Sequence, residues 1–213
     1  MNYSTQLSKS TSTPLEDVKP YRRLIGRLIY LTNTRPDICY VVSKLSQFLD
    51  CATDEHFKAA LHILIYLKHA PSKGLLFDCS YDLSLRGFTD SDWGTCPDTR
   101  RSVSGYCFFL GNLLVSWKSK KQQTVARSSS EAEYRAMALA TCEGIWLIYI
   151  LNSFRITLVK PMTLFRDSQS TRHIASNPVF YERTKHVEIE CHKVREKVHD
   201  GSLKLILIPS RNR

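Results

Sequence analysis

The stretch LSLRGFTDSDWGTCPDTRRSVSGYCFFLGNLLVSWKSKK, residues 83–121, decides the fold class. Leu83, Leu85, Gly87 and Thr89 alternate with Ser84, Arg86, Phe88 and Asp90, the two-residue period of a strand, and this strand is expected to end at the acidic Asp90. A turn-rich segment, 91–101, separates it from a second strand over Val103–Leu110. Gly111-Asn112 is a tight hairpin signal, because two-residue loops need positive φ in their centre, and it leads into a third strand over 113–117. The reading is a three-strand meander.

Beyond the meander a long helix is predicted from about 130 to 154, with Ala132, Ala136, Leu139, Trp146 and Ile150 on one face. A strand over 162–167 follows, then a short helix around 170–176 stopped by Asn177-Pro178. A further helix over about 187–199 ends at Asp200-Gly201, and the last strand covers 203–208. Strands alternating with helices in this order predict an α/β domain, a mixed sheet flanked by helices. Upstream the period is helical. Leu24, Ile25, Leu28 and Ile29 form one stripe, and Pro36 suits the first turn of the next helix, which carries Ile38, Val41, Val42, Leu45, Phe48 and Leu49. Phe57, Ala60, Leu61, Leu64 and Leu67 form a third stripe that ends near Pro71. The expected organisation is a disordered Ser/Thr-rich linker over 1–14, a small helical unit over 15–80 and the α/β domain over 81–213. His56, His62 and His69 lack metal-ligand spacing and read as surface residues of the third helix.

Composition narrows the function classes. The 213 residues are 43% hydrophobic and 23% charged, which allows a core and excludes collagen, coiled coil and a wholly disordered chain. Apolar runs such as 145–151 fall short of the ~20 residues of a membrane span, so a soluble intracellular protein without a membrane partner is expected. Seven cysteines with no C-x-x-C pair support neither a disulfide framework nor a paired zinc site, and buried, reduced thiols are expected. Residues 1–85 hold 10 basic and 8 acidic side chains and residues 86–213 hold 20 and 12, so +8 of the net +10 lies in the second part. That asymmetry points to a polyanion such as nucleic acid, because releasing counterions from phosphates drives such binding.

Three acids stand where chemistry can sit. Asp90 and Asp167 end predicted strands, and Glu133 lies in the opening turn of the long helix. Reactive groups gather at the carboxyl ends of strands in α/β sheets, so the three can share one crevice. Converging carboxylates repel unless a cation neutralises them, and hard oxygen donors select Mg²⁺, or Mn²⁺, over softer metals. Each acid has an ordinary alternative. Ser130 and Glu133 stand as S-x-x-E, which makes Glu133 equally a capping-box partner, and Asp90 and Asp167 are each followed by Ser, as turn-forming acids often are. Asp92 and Asp98 read as turn residues, with Asp92 close enough to Asp90 to be a rival ligand.

The strings FTDSDWGTCPDTRRSVSGYCFFLG (88–111), SWKSKKQQTVARSSSEAEYRA (116–136) and ERTKHVEIECHKVREKV (182–198) closely resemble the ribonuclease H domain of plant copia-type LTR-retrotransposon Pol polyproteins. PYRRLIGRLIYLTNTRPDICYVVSKLSQF (20–48) resembles the segment that joins reverse transcriptase to that domain. The resemblance implies an RNase H-like fold, cleavage of the RNA strand of an RNA–DNA hybrid with two Mg²⁺ ions, and an upstream reverse-transcriptase palm as partner in the parent polyprotein. It carries Asp90, Glu133 and Asp167 over as catalytic and metal-holding residues. The family has a further Asp after the last strand where this sequence runs Ile208-Pro209-Ser210-Arg211-Asn212-Arg213, so impaired turnover is expected. No Asp-Asp pair occurs, and no DNA synthesis is expected.

A hybrid is recognised through backbone shape, phosphates and 2′-hydroxyls. Arg100, Arg101, Lys118, Lys120, Lys121 and Arg127 are the expected phosphate contacts, with Trp93, Tyr106 and Trp117 interleaved among them. His186, Cys191, His192 and His199 lack a second ligand pair for zinc and read as surface or packing residues.

Overall fold

Pro20 lies in the first turn of α1 (Lys19–Leu31), where its missing N–H deprives the helix of nothing. The computed structural model describes residues 7–9, 12–77, 83–158, 160–166, 192 and 194–208. They fall into two compact units, Met1–Leu76 with Cys96–Arg100, and Phe77–Thr95 with Arg101–Arg213.

In the first unit α1 is followed by α2 (Cys39–Leu45), which 3₁₀ turns at Pro36–Ile38 and Ser46–Phe48 flank, and by α3 (Asp54–His69). Tyr21, Ile25 and Leu28 of α1 pack with Ile38, Val42, Leu45, Phe48, Ala60 and Ile63. The Tyr21 hydroxyl donates to Leu45 O at 2.7 Å, and burial pushes its pKa up. The face assigned to α3 is corrected in part, since Phe57, Ala60 and Leu67 of the expected stripe pack on this core. Leu61 and Leu64 are exposed, and His56, Ala60 and Ile63 point inward. Apolar residues run almost all the way round this helix, so periodicity does not single out its inner side. His56 is likewise no surface residue. It is fully buried, stacks on Phe48 at 4.0 Å between ring centroids, and its Nδ1 accepts from Thr53 N at 3.1 Å in a reciprocal cap at the start of α3. Desolvation lowers its pKa, so the neutral ring is favoured. The expected disorder over 1–14 is corrected for the described residues too. Leu7 is buried, Pro14 bridges Thr53 in antiparallel fashion, and Thr13 O accepts from Asp54 N at 3.1 Å.

The second unit holds the expected meander, β1 (Leu85–Asp92), β2 (Val103–Leu110) and β3 (Leu113–Lys121), followed by α4 (Ser129–Ser153), β4 (Met162–Arg166) and β5 (Leu203–Leu207). The sheet order is β3-β2-β1-β4-β5, antiparallel through the meander and parallel across β1-β4-β5. Gly111 takes φ 60° at the β2–β3 hairpin, as the Gly-Asn signal requires. Leu85, Gly87 and Thr89 turn inward, and Leu85, Phe108, Leu164 and Leu203 meet Tyr134, Met137 and Ala140 of α4. On the opposite face Trp117, Cys107, Phe88, Phe165 and Ile206 align in register across all five strands.

α4 turns the large Tyr134 and Met137 inward together with the small Ala132, Ala136, Ala140 and Gly144, and Trp146, placed inward by periodicity, is exposed. Gly144 marks a close approach. A Cβ there would collide with Met162 Sδ and lie 2.9 Å from Met162 Cε, so helix and sheet approach more closely than a large side chain permits. α4 is long and apolar enough to cross a membrane by length and composition alone, a test that a helix packed on a sheet also passes. Residues 192 and 194–199 are helical, within the expected last helix, whereas the predicted helix around 170–176 lies outside the described residues. Among the described cysteines all five are free thiols, yet Cys142 is exposed and the other four only half-buried, contrary to the expectation of burial.

Candidate active site

Strand β1 does not end at Asp90. It continues to Asp92, which pairs with Val103, so Asp92 is a strand residue and not part of a turn. Asp90 is an exposed strand residue opposite Gly105, and the buried neighbour Thr89 donates from Oγ1 to Gly105 O at 3.2 Å. Asp98 accepts from Lys9 N at 3.2 Å.

The start of α4 separates two readings that the sequence leaves open. The N-cap is Ser128, whose Oγ accepts from Glu131 N at 3.2 Å. Glu131 returns the favour at Arg127 N, 2.8 Å from its Oε2, and its Oε1 pairs with Arg135 Nη2 at 2.8 Å. The capping carboxylate is therefore Glu131 and not Glu133, which opens the second turn and is half-buried. The run of three serines hides this, because S-x-x-E is satisfied both by Ser128 with Glu131 and by Ser130 with Glu133.

A residue without a motif ties these segments together. Gln122, just past β3, donates from Nε2 to Ser104 Oγ and Ala132 O, each at 2.9 Å, and approaches Ser91 Oγ at 3.4 Å. Ser91 follows Asp90 and Ala132 precedes Glu133. Nothing in the string KKQQTV distinguishes Gln122 from Gln123 except their parity after a strand.

Asp167 lies outside the described residues, as do His186 and Cys191. Among the described residues no three His, Cys, Asp or Glu side chains gather as a metal site. The donor chemistry of Asp90 and Glu133, carboxylate oxygens only, suits a hard divalent ion.

The basic candidates divide between the units. Arg100 belongs with the first, at φ 53°, and Arg101, Lys118, Lys120, Lys121 and Arg127 with the second. Lys118 and Lys120 are exposed on β3, the sheet edge, where charge also discourages pairing with another chain. Of the interleaved aromatics Tyr106 is a core residue and Trp117 is half-buried. Trp93 is 54% exposed, with its indole Nε1 donating to Ala126 O at 3.0 Å.

No protein-family model matches the chain. It is 39% identical over 209 residues, 98% of its length, to the retrovirus-related Pol polyprotein from transposon RE1 of Arabidopsis thaliana, of which it covers 14%. Identity is 36% over 212 residues with the corresponding polyprotein from transposon RE2 of the same plant, with 15% of that protein covered. The chain belongs to the copia-type retrovirus-related Pol family. It spans only these small fractions of its Pol relatives. Among solved structures, a foamy viral protease-reverse transcriptase in complex with RNA/DNA hybrid aligns over 96% of the chain and 26% of its own, with a TM-score of 0.56 and 13% identity, a likeness of fold. The mixed order β3-β2-β1-β4-β5 with α4 against it is the RNase H-like arrangement that the Pol strings imply.

Proposed function

We propose that this Pol segment hydrolyses the RNA strand of RNA–DNA hybrids, with Asp90, Glu133 and Asp167 holding divalent ions, Mg²⁺ in the first place. The observation that carries the reading is a register. β1 and β4 run parallel as neighbours with Phe88 opposite Phe165, and Asp90 and Asp167 each stand two residues further along their chains. Assignment of the cap to Glu131 adds support, since Glu133 is then not the capping carboxylate of α4. Bound divalent ions would supply an activated water and charge stabilisation at the leaving oxygen.

The chain's own residues do the rest. Strand pairing fixes Asp90, the cap of α4 holds the start of the helix that bears Glu133, and Arg101, Lys118, Lys120, Lys121 and Arg127 supply cationic contacts for phosphates; Arg100, in the first unit, is a separate candidate contact. The reverse-transcriptase palm of a longer polyprotein is the proposed protein partner.

The experiment is cleavage of a labelled RNA–DNA hybrid by the purified chain in Mg²⁺. Cleavage is expected to fall by about 100-fold or more in Asp90→Asn, Glu133→Gln and Asp167→Asn, since each removes a charged donor from the ion site. Rates that survive these changes reject the site. Binding that weakens with salt and yields no product replaces hydrolysis with binding alone.

A further inference from the structure

Gln122 is 9% exposed, and its backbone N–H donates to Ser102 O at 2.8 Å, so its main chain is anchored before the side chain begins. From there the amide reaches three elements: Ser104 on β2, Ser91 on β1 and Ala132 on α4. Ser91 and Ser104 are register partners, so the two hydroxyls present themselves together on paired strands. The two N–H bonds of the amide match the two short contacts, and the 3.4 Å approach to Ser91 is the weaker, shared one.

Packing alone does not account for glutamine here. Its Oε1 is buried with no hydrogen-bond partner among the described residues, and a buried carbonyl stripped of water costs stability. An apolar side chain of the same length would avoid that cost. What glutamine provides is a pair of donors at the right reach without charge. Asparagine is shorter by one carbon–carbon bond, and lysine would add a positive charge beside residues read as cation ligands.

We propose that Gln122 is a positioning residue that locks the β1 segment bearing Asp90 to the α4 turn bearing Glu133, so that both carboxylates are ordered before an ion arrives. This inference rests on the metal-dependent reading of the preceding section. It acts through Ser91 and Ala132 and requires no contact between Gln122 and substrate or ion.

The test compares the full chain with Gln122→Met, which keeps length and removes the donors, and with Gln122→Asn, which keeps the amide and withdraws it. Gln123→Met, at the exposed neighbouring position, is the control. Mn²⁺ binding is read by water-proton relaxation without substrate, the Mg²⁺ concentration for half-maximal hybrid cleavage is read separately, and thermal unfolding is followed in parallel. Gln122→Met is expected to weaken Mn²⁺ binding and raise the half-saturating Mg²⁺ by about 10-fold, the scale of lost supporting shells around metal ligands. Its rate at saturating Mg²⁺ should stay near that of the parent, and its melting temperature should move by less than about 5 °C. Gln122→Asn should show a smaller effect in the same direction and Gln123→Met none. If the parent binds and cleaves while both Gln122 variants match it, the positioning role is wrong and the nuclease reading stands. If the parent neither binds Mn²⁺ nor cleaves, the nuclease reading fails and takes this role with it.

Discussion

Arg35 and Gln122 are both buried polar side chains with several partners, one in the helical unit and one in the sheet unit, and they serve opposite ends. Arg35 grips Asp37 with two bonds, Nε to Oδ1 at 3.0 Å and Nη2 to Oδ2 at 2.8 Å, and donates from Nη1 to Ala70 O at 3.1 Å beyond α3. Tyr66 of α3 completes the group, its hydroxyl donating to Asp37 at 2.8 Å. There the carboxylate is used up inside the fold by a full positive charge. Gln122 instead joins segments next to two acids and contributes no charge at all. The difference is one of bracing: at Asp37 a cation of the fold itself holds the carboxylate, whereas the segments that carry Asp90 and Glu133 are joined by a neutral amide.

The largest effect on stability should follow from breaking the charged brace. Arg35→Ala leaves Asp37 without its cation and Ala70 O without a donor, and removing one partner of a buried pair costs about 3–5 kcal/mol. Asp37 is 32% exposed, so the lower end is expected. Urea unfolding followed at the helical unit would measure it. Arg35→Lys should recover only part of the loss, because a single ammonium cannot reproduce the fork. A full recovery by lysine would mean that charge alone matters there.

Gly144→Ala probes the sheet unit, where closeness of packing takes the place of charge. Glycine to alanine inside a helix ordinarily gains about 1 kcal/mol. Here the added carbon meets Met162, and overpacking of this kind costs about 1–3 kcal/mol. A net loss of about 0–2 kcal/mol is expected in denaturant titration, and Gly144→Ala combined with Met162→Ala should recover less than it removes, because the second change empties core volume.

Acid should undo the Arg35 brace reversibly. The hydrogen bond from Arg35 holds Asp37 down at about 2, against an ordinary 3.8, with the Tyr66 hydroxyl and the charge of Arg35 acting in the same direction. A depressed carboxylate contributes stability that is complete above its unfolded pKa and disappears as pH falls through the folded one. The window is therefore pH 4 down to about 2, and the contribution is about 1–2 kcal/mol after allowance for partial exposure. Parent and Asp37→Asn stabilities measured from pH 5 to pH 2 should converge at the acid end. Curves that stay apart would show that Asp37 contributes by shape and not by charge.

Much of this was legible from local chemistry. Alternation over 83–110 and the Gly-Asn pair locate the meander, because strand period and turn conformation are local properties. Where physics is non-local the sequence misleads. α3 is apolar nearly all round, so only its neighbours decide that His56 and Ile63 are inside and Leu61 outside. Trp146 fits the stripe of α4 by period, yet it is exposed, and the close approach of Met162 to Gly144 arises only when helix and sheet meet. Gln122 carries no signal, since its partners lie on three other segments and become neighbours only when the sheet forms. At the candidate site the three acids stand out by type and position, whereas Glu131 is hidden because two S-x-x-E patterns overlap in one string.

The smallest effect sharpens that last ambiguity. Ser128→Ala removes the acceptor of Glu131 N and leaves an unsatisfied amide at the start of α4, for which a loss of about 1 kcal/mol is expected. Ser130→Ala, one residue inside the helix and outside the cap, should change stability by less than about 0.5 kcal/mol. Were the pattern Ser130 with Glu133 the working cap, the order would be reversed. The same pair of variants bears on the comparison between the units. If Ser128 carries the cap, Glu131 is the structural acid of this turn, held by Arg135 as Asp37 is held by Arg35, and Glu133 two residues later is not spent on starting the helix. A reversed order would return Glu133 to the class of Asp37 and remove the helix carboxylate from the proposed site.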